Sequence, residues 1–301
     1  SFAIASACGL AAALSVIVLG DESGYALGDV QKVKLAAIEA EWETHPAPAA
    51  FTLFGFPNQE TRSTDYAVRI PAIMGLIATR STDQQVDGFD RILEHNLQRI
   101  IRGQEAYQLM TRIRAGEGDE QVRARFEALR DDLGYGLLLS VYAEDVANAS
   151  DAEIAAALDA SIPRVWPLFW TFRIMVACGF LMLVIFAFAF WHSARRTPDK
   201  PRWLLRLALF SLPLPWIASE AGWFVAEYGR QPWAIGEILP TSLAVSSLTA
   251  GEVLGTLAAI VVLYSIFLII EVWLMVRFAR KGPSSLHTGR YDLETGKLKE
   301  A

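Results

Sequence analysis

Trp216, Glu220, Trp223 and Glu227 share one apolar segment and fall three and four residues apart. That spacing stacks side chains on one side of a helix. The segment, residues 213–233, reads PLPWIASEAGWFVAEYGRQPW and is apolar enough to lie in a bilayer. A carboxylate there costs roughly 3 kcal/mol or more unless it is paired, protonated or bound to something. The segment closes in Gly229-Arg230-Gln231-Pro232-Trp233, a turn with an embedded cation. Such a face suits a polar or metal-centred ligand. A second set lies upstream, where Arg173 and Met175 sit in the apolar run 168–191. Met175 falls about 12 Å into that run at a helical rise of about 1.5 Å per residue. A thioether and a carboxylate are both possible heme-iron ligands, and methionine raises heme potential as an axial ligand. Packing accounts for most methionines in apolar spans, and Arg173 can snorkel to the surface. It points about 200° away from Met175 around the helix, so reaching a shared ligand requires it to bend along the ligand's edge. The residues alone leave open a heme site, a quinone site, or an ion or proton path along Glu220, Glu227 and Glu271 in a transporter segment without heme.

The elements that must hold these residues follow from composition. The chain has 301 residues, 53% hydrophobic and 20% charged, with a formal net charge of −6. It is too apolar for a soluble domain of this length, and its acidity argues against a nucleic-acid partner. Cys8 and Cys178 both fall in apolar runs and are expected as buried small side chains. The chain opens on Ser1 directly into an apolar run without a basic leader, so it is expected to be part of a longer membrane protein. Residues 1–20, 166–192, 203–227 and 253–279 are expected to span the bilayer as helices. Arg195, Arg196, Lys200, Arg202 and Arg206 crowd the loop 193–202 and its edge, and Arg277, Arg280, Lys281 and Arg290 surround the start of the tail 280–301. The positive-inside rule makes both ends cytoplasmic, which places the long loop 21–165 and the loop 228–252 outside.

Within the long loop, the pattern over 28–44 predicts an amphipathic helix. Val30, Val33, Ala37 and Ala40 form its apolar stripe, and Lys32, Lys34, Glu39, Glu41 and Glu43 lie elsewhere. Residues 51–57, FTLFGFP, are apolar but broken by Gly55 and Pro57, which suits a surface dipping toward the lipid interface. From Asp87 onward Ile92, Leu93, Leu97, Ile100 and Ile101 recur at helical spacing. Gly116-Glu117-Gly118 breaks that helix, and Asp119 is the expected N-cap of another running to about Leu133. Of the four histidines, His45 and His95 fall in the long loop, His192 at the inner surface and His287 in the tail. None lies at the depth of Met175 or Glu227. Any histidine ligands of a heme are therefore expected from outside this chain.

Several strings together resemble the C-terminal half of subunit I of the bacterial cytochrome bd quinol oxidases. They are GDESGY at 20–25, KLAAIEAEWET at 34–44, FRIMVACGF at 172–180, EAGWFVAEYGRQPW at 220–233 and GPSSLHTGRY at 282–291. The resemblance implies an all-α membrane protein, a transmembrane helix bundle with four spans here of the family's nine. It also implies a large, helical, periplasmic Q-loop of the long type, with its quinol-binding part at 21–80 and a helical insertion at 81–165. By the same resemblance, Lys34 and Glu39 serve quinol oxidation. Met175 is the axial ligand of a low-spin heme b, and Arg173 favours the reduced form of that heme. Glu227 is the axial ligand of a high-spin heme b, Trp223 lies among the hemes, and Arg230 supports a heme edge. The implied cofactors are those two hemes b and heme d, with ubiquinol or menaquinol as substrate and O2 as acceptor. The implied partners are the N-terminal half of subunit I, subunit II and a small accessory transmembrane subunit, in the bacterial inner membrane. Electrons from quinol reduce O2 to water and build a membrane potential without pumping. Glu220 matches a family carboxylate to which no role is assigned.

Overall fold

The computed structural model describes residues 2–81, 83–195 and 202–281. It divides into two units, Ser1–Ala244 and Val245–Ala301. Lys200, Arg196 and the GPSSLHTGRY string, with His287 and Arg290, lie outside the described residues.

Helix α1 (Phe2–Val30) runs without a break through the polar DESGY stretch, where hydropathy closes the first span. The propensity cost of these residues, about 1 kcal/mol for Gly24 and less for the others, does not stop a long helix, and hydropathy marks where lipid ends rather than where backbone bonding ends. Gln31 interrupts the helix, and α2 (Lys32–Glu39) follows. It stops at Ala40, a left-handed residue (φ 55°) whose N–H bonds the Ala36 carbonyl. The amphipathic helix expected over 28–44 is corrected here. The helix is shorter, and every residue from Lys34 to Glu39 is buried, because α1 and the later helices Phe89–Arg114 and Val165–Ala194 pack around it.

The FTLFGFP run forms a strand. β1 (Phe51–Asn58) pairs antiparallel with β2 (Ser63–Ile70). A two-stranded ribbon has no inner strand, so Pro57 withholds its missing donor at no cost to a ladder. Register shifts on either side of Phe54 absorb the irregularity. α3 (Ile73–Thr79) leads on toward the helical insertion.

The insertion opens with α4 (Phe89–Arg114), which buries Ile92, Asn96, Ile100, Gly103, Ala106 and Leu109 as one stripe. Asp119 caps α5 (Glu120–Leu129) as its position predicts, accepting the Val122 N–H at 2.8 Å. That helix was expected to reach Leu133; it breaks into a tight turn at Arg130–Asp132 before α6 (Leu133–Leu139). α4 and α6 touch backbone to backbone, and a Cβ on Gly136 would overlap the Gly103 carbonyl. α7 (Asp151–Ala160) begins in a capping box between Ser150 and Glu153.

α8 (Val165–Ala194) has 30 residues, so at about 1.5 Å each it exceeds the hydrocarbon thickness of a bilayer. The expected third span is two helices, α9 (Arg202–Phe210) and α10 (Leu214–Tyr228). Pro213 and Pro215, which lack an N–H, stand at their junction. After α10 the short strands β3 (Trp233–Ile235) and β4 (Leu239–Pro240) pair as a hairpin. α11 (Ala250–Lys281), in the second unit, starts at Thr249, whose backbone and hydroxyl both bond Glu252. Among the described residues, four stretches are long and apolar enough to cross a membrane: Phe2–Gly28, Asp151–Ala194, Arg202–Tyr228 and Ala250–Arg280. The fold is thus the expected mostly helical, membrane-spanning kind, with two small hairpins in its connections.

Candidate functional site

α8 gathers the candidate residues, because α1, α2, α10 and β1 all pack on it. Arg173 leaves α8 toward the loop. Its guanidinium donates to the carbonyls of Ile38 (2.7 Å), Leu53 (3.0 Å) and Phe169 (3.0 Å), to that of Thr52, and to the Glu39 carboxylate (3.0 Å). It also lies over the Phe169 ring. Its side chain is 10% exposed and that of Glu39 is 5% exposed. Arg173 therefore does not snorkel to a surface; it joins α2 and β1 to α8.

Burial pushes the Glu39 carboxyl up to about 8, against the opposing pull of Arg173. Glu41, two residues on, is pushed up to about 7, again by burial, with Arg69 and Arg173 opposing. A raised carboxyl favours the folded arrangement most below its ordinary value of 4.5, and that contribution is lost as pH rises through the folded value. Docking of the 31–58 segment on α8 is accordingly expected to loosen between pH 4.5 and about 8. Limited proteolysis of this segment should quicken over that window in the wild type, and Glu39→Gln should flatten much of the trend.

Lys34 faces elsewhere. Its stem fits beside Gly229, where a Cβ would come 2.9 Å from its Cγ. Burial and the neighbouring Arg230 push its ammonium pKa down, while Glu227 pulls it up. It opens onto a cleft of about 620 Å³, the size of a ring-sized ligand's pocket, that Arg91, His95, Arg99, Arg230 and Glu237 also line. Lys34 and Glu39 do not meet, as their five-residue spacing predicts; Glu39 pairs with Arg173, while Lys34 lies in the opposing fields of Arg230 and Glu227.

Glu227 pairs with Arg230 one turn later, both partly exposed. Trp223 is 65% exposed, and Trp216 and Glu220 are exposed on the same face of α10. The opposite face, with Ala221 and Val225, is buried. Met175 points from α8 toward α10, where a Cβ on Gly222 would lie 3.1 Å from its sulfur. Met175 and Arg173 thus leave α8 in different directions, one to the neighbouring helix and one to the loop.

Sequence reasoning missed the support behind this site. Arg99 bonds Asp132 at 2.6 Å and also pairs with Glu237 beyond the GRQPW turn. Tyr135 lies 5.0 Å from the Trp233 ring, and its hydroxyl donates to Asn96. A Cβ on Gly134 would overlap the Glu237 carbonyl. The helical insertion therefore braces the turn that carries Arg230. Asn96, a polar group inside the otherwise apolar buried face of α4, was the legible signal.

The spans, the loop locked to one of them and the carboxylate stripe define a multi-span helical membrane protein with a built extramembrane site. The family model for cytochrome bd terminal oxidase subunit I matches residues 1–283. The chain belongs to that family. It is 47% identical over 288 residues to cytochrome bd-II ubiquinol oxidase subunit 1 of Escherichia coli (strain K12), covering 96% of this chain and 56% of the relative. It is 26% identical over 294 residues to cytochrome bd ubiquinol oxidase subunit 1 of Bacillus subtilis (strain 168), covering 97% of this chain and 50% of the relative. The chain spans about half the length of these relatives.

Proposed function

We propose that this chain forms the quinol-oxidising and part of the heme-bearing portion of a terminal oxidase in the bacterial inner membrane. Both relatives are named for ubiquinol, which favours ubiquinol as the electron donor. The observation that carries the reading is the buried Glu39–Arg173 pair, which holds the loop onto the helix of Met175. A carboxyl whose pKa lies near neutral is suited to accept a proton from a quinol hydroxyl. Lys34 supplies a cation on the cleft side of the same short helix.

The residues present suit hemes. Met175 offers a thioether at the α8–α10 contact, and Glu227 offers a partly exposed carboxylate one turn from Trp223. Met175 would hold the low-spin heme b and Glu227 the high-spin heme b, with Arg230 beside the latter. The charge of Arg173, two residues from Met175, favours the reduced state nearby while its donors hold the loop. When bound, the two hemes b and heme d supply one-electron acceptance from quinol and the place where O2 becomes water. Subunit II, a small accessory subunit and the rest of subunit I complete the assembly. The loop 21–165 and the turn 228–252 face the periplasm, so quinol protons leave outside while protons for water come from inside. That separation charges the membrane without a pump.

The test uses the assembled membrane complex. Its dithionite-reduced minus oxidised spectrum should show heme bands, and quinol should drive O2 consumption. Glu39→Gln should lower quinol turnover by about 100-fold, the lower range for loss of an acid–base group, with heme bands retained. Equal loss of turnover and heme would make Glu39 structural.

A further inference from the structure

Glu41 is buried, its side chain 4% exposed, and its Oε1 has no hydrogen-bond partner. A carboxyl oxygen left in that state costs free energy unless it is kept for a purpose or protonated. Its other oxygen, Oε2, lies 3.4 Å from Nε2 of His45. His45 is 30% exposed, and its backbone is fixed by a bridge to Val86. On its inner side Glu41 shares the field of Arg173 with Glu39.

These groups form a graded series: Glu39 enclosed, Glu41 enclosed but half-satisfied, His45 open to solvent. The charged groups around Glu41 come from every side: Arg69 on β2, Arg173 on α8, and Glu39 and His45 on its own segment. The start of α4 seals the fourth side, with the Phe89 N–H bonded to the Glu41 carbonyl. Asp90, next along α4, spends its carboxylate on Thr44 instead.

We propose that Glu41 and His45 are the exit route for the quinol proton, carrying it from Glu39 to the solvent outside the loop. The inference rests on the reading of Glu39 as first proton acceptor. Oxidation of one quinol yields quinone, two electrons and two protons. The electrons would go one at a time to the bound hemes as one-electron acceptors. The two protons leave in turn, each taken by the Glu39 carboxylate and passed across a single water to Glu41 Oε1, whose free lone pairs can receive it. Rotation of the Glu41 carboxyl hands it to His45 Nε2, which lies on the Oε2 side, and water takes it from the ring. Each carrier returns to its starting state, so nothing accumulates. Both carboxyl pKa values near neutral allow the carriers to load and unload at working pH.

The experiment compares Glu39→Gln, Glu41→Gln and His45→Ala in the assembled membrane complex, assayed with a short-chain ubiquinol. Glu41→Gln keeps the shape and removes the carrier. It should slow turnover by roughly tenfold or more, with heme bands intact and a larger solvent deuterium isotope effect. His45→Ala should slow turnover similarly, and added imidazole should restore it, which a merely structural role for His45 would not show. If Glu41→Gln fails to assemble, the imidazole result decides. Loss in Glu39→Gln with wild-type rates and isotope effects in the other two would overturn the route and leave the quinol site standing. Wild-type turnover in Glu39→Gln would overturn both. A slow His45→Ala that imidazole leaves unchanged would also overturn the route.

Discussion

Arg173→Ala should release the loop from α8. The substitution removes the donor shared by Glu39 and four main-chain carbonyls from two loop elements and α8 itself. Removing one member of a buried pair costs about 3–5 kcal/mol, because what remains is desolvated without compensation. Protease cleavage within 31–58 should rise by orders of magnitude at neutral pH, and quinol turnover should collapse with it. Arg173→Lys should fall between the two states, since an ammonium keeps the charge but cannot fork across five acceptors. Adding Glu39→Gln to Arg173→Ala should change docking little further at neutral pH, because without the pull of Arg173 the Glu39 carboxyl is already neutral there. A protected loop in Arg173→Ala would show that packing alone docks it.

The second large effect is expected at Met175. Met175→Leu changes side-chain volume little, so packing against Gly222 should survive. A leucine offers no lone pair to iron. The low-spin heme b signature should disappear from the reduced spectrum of the complex, replaced by a five-coordinate high-spin signal or by heme loss. Docking of the loop should be unaffected, because Arg173 leaves α8 in another direction. An unchanged low-spin spectrum would assign the ligand elsewhere.

Local signals in the sequence carried the spans and the caps. Apolar length located four membrane-competent helices, and Asp119 marked a helix start that its bond to Val122 bears out. Helix ends were less legible. α1 passes through polar residues that end hydropathy but not hydrogen bonding. The β1–β2 hairpin was hidden because Gly55 and Pro57 interrupt the pattern of β1, which an edge tolerates and an inner strand would not. The environment of α2 was hidden for a different reason. Lys34 and Glu39 look like the polar side of an amphipathic helix, but the partner of Glu39 is 134 residues away. No spacing rule reaches that far. What the sequence did offer was AAIEAEW, two acidic residues set among small apolar ones, a composition that fits a helix covered on all sides.

The contact between the α4–α6 segment and the GRQPW turn bears on how this part of the chain can be cut out or transplanted. Gly134 abuts the Glu237 carbonyl, Tyr135 abuts Trp233, and Arg99 pairs with Glu237. Cutting residues 87–150 from this chain to imitate a shorter loop would therefore strip one wall from the hairpin after Arg230. Grafting 87–150 alone onto another protein would present Arg99 and Tyr135 to a surface with no obligation to match them. A workable chimera must carry 87–150 and 230–240 together, as one transplantable module split in two along the chain.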